Sequence, residues 1–188
     1  VLFRSCTLNA ARILDAAAKL LNVNHDELGK LALAAKPGAN GLSLLPYFEG
    51  ERTPNRPNAR GTLTGLSLSN SNREDIARAF IEGMLCGLAD AVYSLEKLGV
   101  GINRVLLIGG AAKNPAVGPI ASSIFGREVL LPPAGEYVAN GAARQAAWAF
   151  TGTLPEWKLS GLTNVTQTPT PEVFQRYKEL SSRTENWA

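Results

Sequence analysis

The chain has little of what metal centres and many hydrolytic sites are built from. One histidine, His25, stands among 188 residues. That argues against a His-based metal cluster or a Ser-His-Asp triad made within this chain. The two cysteines, Cys6 and Cys86, are far apart and form neither a CxxC knuckle nor a disulfide framework. Aromatic residues are 7% of the chain, and its Lys and Arg are spread out rather than gathered. Nucleic-acid binding, which needs basic residues clustered on one face, is therefore not expected. No uncharged apolar run approaches the roughly 18 residues of a membrane span, and no secretory leader is visible. Charged residues are 19% and the net charge is +3, so the chain is neither a polyelectrolyte nor a coiled coil. Its 45% apolar residues can bury a sizeable core, in one ordinary domain or a larger one with a tail. The expectation is a cytoplasmic α/β domain with reduced cysteines.

The first residues are unusual. Val1-Leu-Phe-Arg-Ser5 matches the translated end of a common sequencing adapter, so residues 1–5 read as a non-native leader. From Thr7, the spacing of Leu8, Ala11, Leu14, Ala18 and Leu21 predicts an amphipathic helix. A short helix over Asp26–Ala35 follows, stopped by Lys36-Pro37-Gly38. Gly41–Phe48 and Gly61–Ser67 read as strands around a polar loop, Glu49–Arg60, that holds Pro54 and Pro57. Ser71 and Glu74 suggest a capping box for a long helix carrying Ile76, Phe80, Met84, Leu88, Val92 and Leu95. Arg104–Ile108 reads as a buried strand, Pro115–Phe125 as a helix, Arg127–Leu131 as a strand and Tyr137–Thr151 as a helix. The Thr- and Pro-rich segment 152–171 is expected to wrap the surface before a last helix near Glu172–Ser182. Strands alternating with helices predict an α/β layered domain.

The most informative local feature is Val105-Leu-Leu-Ile-Gly-Gly-Ala-Ala-Lys-Asn-Pro115. A strand that delivers two glycines into a helix start lets backbone approach a ligand, and the first N–H groups of the helix then face an anion. This is neither a Walker loop nor GxGxxG. The alternative is a plain βα turn, with Asn114 capping the helix and Pro115 at its first position. Thr62 and Thr64 either lie beside the same cleft or simply suit an edge strand. Glu49, Glu51, Arg52 and Arg56 are either a clamp or sugar site, or a solvated loop of compensating charges. His25 reads as a surface residue at a helix start, and the Asn164-Val-Thr166 sequon as a chance match.

Taken together, the segments resemble the second half of the FGGY carbohydrate kinases. The resemblance rests on Leu45-Pro-Tyr-Phe-Glu-Gly-Glu-Arg-Thr-Pro54, Asn58-Ala-Arg-Gly61 and Leu107-Ile-Gly-Gly-Ala-Ala-Lys-Asn114. The family's second signature is nearly matched by Gly61, Leu63, Gly65, Leu66, Asp75, Ile76, Ala79, Ile81 and Glu82, with Phe80 departing from it. Gly50-Glu51-Arg52-Thr53-Pro54 is most similar to the D-xylulose kinases of the family; gluconokinases tend to carry Ala at the Thr53 position.

The resemblance implies a ribonuclease-H-like, actin-like ATPase fold, with a mixed sheet flanked by helices. Residues 6–151 would be the C-terminal, ATP-side domain and residues 152–188 a tail with a last helix. Gly109, Gly110 and Asn114 match the family's adenosine motif, with Ala111 where many relatives carry a third glycine. The implied cofactors are ATP and Mg²⁺, the ion held mainly through the nucleotide and a missing N-terminal domain. That domain would also supply the sugar contacts, the Gly-Thr-Ser-Gly phosphate loop and the catalytic aspartate, so no catalytic or metal residue is assigned here. Asp75 and Asp90 are expected to be structural. The implied activity is transfer of the ATP γ-phosphate to a sugar hydroxyl, most closely that of D-xylulose; the alternatives are another sugar kinase of the family, of gluconokinase or ribulokinase type, or a non-catalytic actin-like nucleotide-binding module. The full-length enzyme is expected to be cytoplasmic, with a homodimer as its candidate assembly.

Overall fold

A computed structural model of the chain describes residues 2–4, 9–158 and 160–187. The expected start of the first helix at Thr7 and Leu8 lies outside the described residues, as do Val1 and Ser5 of the proposed leader. The main sheet has four strands: β1 (Leu2–Arg4), β4 (Val105–Ile108), β5 (Val129–Leu131) and β6 (Thr163–Val165), in that spatial order. The first three run parallel, with Phe3 opposite Leu107 and Val105 opposite Val129, while β6 is antiparallel to β5. A separate antiparallel pair joins β2 (Ser43–Leu45) to β3 (Thr62–Thr64). All four residues of β4 are buried, as expected for a parallel strand covered on both faces.

The helices are α1 (Asn9–Leu21), α2 (His25–Ala34), α3 (Arg73–Lys97), α4 (Val117–Phe125), α5 (Tyr137–Thr151) and α6 (Pro171–Arg183). Helix α3 is the central element, packed by α1, α2, α4 and α6. Its buried Ala77, Ile81, Leu85 and Ala89 follow the helical period and join one core with Leu14, Leu28, Val105 and Ile120. The N-cap of α3 is not Ser71. Asn72 takes that place: its side chain accepts from the Asp75 N–H at 2.8 Å and donates back to the Asp75 carboxylate at 2.8 Å. The cap is shifted by one residue, and its second bond joins the two side chains rather than returning to the N-cap backbone N–H as in a capping box.

The last helix stands where expected, as α6, but the segment between it and Thr151 is more than a surface wrap. It contributes the edge strand β6, and α6 enters the core through Val173, Tyr177 and Leu180. Thr170 and Ser123 bond through their hydroxyls at 3.0 Å, and Arg176 donates to the Gly38 carbonyl at 3.1 Å. By contrast, α5 buries none of its fifteen residues, and Val138, Trp148 and Phe150 stand exposed on it. Among the described residues no helix is long and apolar enough to cross a membrane.

Candidate nucleotide-binding turn

Strand β4 ends at Ile108 and the chain turns at once. Gly109 adopts φ 101°, ψ 178°, a region open essentially to glycine alone. Gly110 then opens a single 3₁₀ turn, Gly110–Lys113, and α4 begins only at Val117. The expected direct passage from strand to α-helix is therefore interrupted by this turn. Both glycines are exposed, and a Cβ added to either would meet nothing within 4 Å. The two differ in backbone: the positive φ belongs to Gly109 and not to Gly110.

The turn sits at the carboxyl edge of the parallel strands. Residues 132–136 leave β5 at the same edge, where the Tyr137 hydroxyl bonds the Pro133 carbonyl. Ligands of open α/β sheets bind outside the carboxyl ends of the strands.

Asn114 closes the turn and is 6% exposed. Its Oδ1 accepts from the Ala116 N–H at 3.0 Å, an Asx-type turn; α4 starts at Val117 with Ala116 as its N-cap and no side-chain cap, so the expected Asn114 cap with Pro115 at the first helical position is not found. Its Nδ2 donates to the His25 carbonyl at 2.6 Å, a tie to α2 that the sequence did not disclose. His25 is at a helix start, as expected, and its exposed ring pairs with Asp15 at 2.9 Å.

The residues of the second signature form a different centre. Gly38, Ala39, Asn40 and Gly41 all have positive φ, a run unfavourable for Ala39 above all. Long-range contacts hold it in place. Glu82 Oε1 accepts from the Gly38 N–H at 2.9 Å, and Asn70 donates to the Asn40 carbonyl at 3.0 Å. A Cβ on Gly65 would stand 2.3 Å from the Gly41 carbonyl oxygen. Arg78 pairs with Glu82 at 2.7 Å, both buried, and reaches the Ala32 and Ala35 carbonyls at the end of α2. Burial raises the Glu82 carboxyl above its ordinary value, against the opposing hydrogen bond from Arg78.

The remaining candidates are held in structural contacts. Thr62 and Thr64 lie on β3, in the small sheet, with the Thr62 hydroxyl on the Arg60 carbonyl. Glu49 pairs with Arg12 at 2.6 Å, and Glu51 accepts from the Arg52 and Thr53 N–H groups. Arg56 donates to the Ser181 carbonyl at 2.7 Å, fastening the loop to α6. Asp75 is engaged in the α3 cap and Asp90 pairs with Lys178 at 2.6 Å. Among the described residues no three His, Cys, Asp or Glu side chains gather as a metal site.

Residues 6–150 match the family described as "FGGY family of carbohydrate kinases, C-terminal domain". The crystal structure of xylulose kinase from Bifidobacterium adolescentis is similar, with 51% identity and a TM-score of 0.79 over 90% of this chain and 34% of that one. The xylulose kinase of Haemophilus influenzae is 35% identical over 144 residues, 77% of this chain and 29% of the relative. The gluconokinase of Bacillus subtilis is 31% identical over 176 residues, 91% of this chain and 34% of the relative. This chain thus spans about a third of the length of the relatives it matches.

Proposed function

The chain belongs to the FGGY family of carbohydrate kinases, as its C-terminal domain, and we propose that it forms the ATP-side part of a kinase acting on D-xylulose. The observation that carries this reading is Gly110. It is exposed at the carboxyl edge of the sheet, its φ is not positive, and its Cβ position is open. Nothing in the fold calls for glycine there, whereas a nucleotide phosphate approaching the backbone would. Gly109 supplies the sharp turn out of β4, Gly110 the bare backbone, and Asn114 the anchored end of the turn. Mg²⁺-ATP, when bound, supplies the γ-phosphoryl group. Positioning and charge neutralisation provide most of the acceleration in phosphoryl transfer.

In this reading the aspartate that takes the sugar proton, and the sugar contacts, come from further polypeptide that completes a two-domain, ribonuclease-H-like, actin-like cleft in a cytoplasmic enzyme. The exposed apolar residues of α5 favour additional polypeptide packing there. Thr53 and the 51% identity to a xylulose kinase favour D-xylulose over gluconate. The test is ATP-dependent phosphorylation of D-xylulose and of D-gluconate by the longer polypeptide carrying this chain, beside the 188-residue chain alone. The expected result is activity on D-xylulose for the former and none for the latter. Faster turnover of gluconate, or kinase activity of the chain alone, would overturn the assignment.

A further inference from the structure

Helix α1 packs on the 3₁₀ turn itself, while helix α2 meets its closing residues, Asn114 and Pro115, through two residues four apart on one face. At its first residue, the His25 carbonyl accepts the Asn114 amide at 2.6 Å. One helical turn later, buried Gly29 offers no side chain, and Asn114 and Pro115 occupy that space. A Cβ on Gly29 would stand 2.6 Å from Asn114 Oδ1, and 2.7 and 2.9 Å from Cγ and Cδ of Pro115. None of these atoms can retreat cheaply. Asn114 Oδ1 is held by the Ala116 N–H at 3.0 Å, its amide is held by His25, and the proline ring is rigid. The other end of α2 is fixed as well, because Arg78 bonds the Ala32 and Ala35 carbonyls and pairs with Glu82.

We propose that α2 is the strut that positions the nucleotide turn, with Gly29 and the Asn114–His25 bond as its positioning contacts. The proposal rests on the reading of Gly109–Gly110 as the nucleotide-binding turn. Asn114 then acts through the turn it closes, because both ends of its amide are already engaged by protein. Gly29 keeps α2 close enough for that bond to form. A helix-interior glycine is unfavourable by propensity, so its presence here is explained by the contact rather than by the helix.

The test follows the backbone amides of Gly109–Asn114 by NMR in the 188-residue chain, with and without MgADP as the probe. Gly29→Ala pushes the turn away from α2. Asn114→Ser offers a side-chain acceptor to the Ala116 N–H, removes the donor that reaches His25 and adds no charge, so it tests the bond if Gly29→Ala does not fold. Lys30→Ala, on the exposed side of the same helix, is the control. The expected result is displaced 110–114 amides in the first two variants, with MgADP affinity lowered about tenfold. Lys30→Ala should alter neither. The strut role is overturned if the amides keep their positions, or if they move and affinity is unchanged. If the parent turn does not respond to MgADP, the nucleotide-turn reading fails and takes the strut role with it. A parent response lost in Gly110→Val but kept in Gly29→Ala and Asn114→Ser rejects the strut alone.

Discussion

Adjacent glycines at the end of β4 should respond oppositely to the same substitution. Gly109 sits at φ 101°, ψ 178°, where an L side chain adds strain of about 1–3 kcal/mol. At roughly 2–4 °C per kcal/mol for a chain of this size, Gly109→Ala should lower the melting temperature by several degrees, with or without nucleotide. Gly110 has no positive φ, and its added Cβ meets nothing within 4 Å. Gly110→Ala should therefore leave stability unchanged or raise it by about 0.4–1 kcal/mol through the unfolded chain. Its consequence should appear only where a ligand occupies the open space. In the longer kinase, Gly110→Val should raise the KM for ATP far more than that for the sugar, with a normal melting curve. Calorimetry on the chain and separate KM measurements on the kinase distinguish the two residues. Equal destabilisation by the two alanine variants would refute the backbone argument, and an unchanged ATP KM in Gly110→Val would remove the site assignment.

Other consequences concern the core. Met84 is 4% exposed on α3, so Met84→Asp buries an unpaired charge and should lose several kcal/mol; a variant melting within a few degrees of the parent would refute the placement of that face. Arg78→Met leaves buried Glu82 without its partner and the end of α2 without its donor, an expected loss of about 3–5 kcal/mol near neutral pH. Because burial raises the folded-state carboxyl of Glu82, its contribution is most favourable below its unfolded pKa and is lost as pH rises through the folded value. Acidification should therefore restore part of the Arg78→Met loss, and a loss independent of pH would contradict a charged Glu82.

The sequence by itself determined the elements whose signals are local. The periods of α1, α3 and α5, the apolar run of β4 and the Pro37-Gly38 stop all act within a few residues, and the elements stand close to where those signals put them. The Gly109-Gly110 turn was legible for the same reason, whereas the expected Asn114 cap gave way to a bond to the Ala116 N–H because the 3₁₀ turn delays α4 to Val117. Tertiary structure decided the rest. Whether Ser71 or Asn72 caps α3 depended on a one-residue choice that propensity does not resolve. The last helix was legible and stands as α6, but residues 152–171 looked like a surface wrap because their strand is three residues long; pairing with β5 made it part of the sheet, and packing on α3 brought α6 into the core. The positive-φ run at Gly38–Gly41 persists because Glu82, Asn70 and Arg176, all distant in sequence, satisfy its backbone groups. The sequence showed Gly29 only as an unremarkable glycine in a short helix. Its meaning comes from Asn114 and Pro115, brought against it by folding, because steric exclusion depends on what is near in space rather than along the chain.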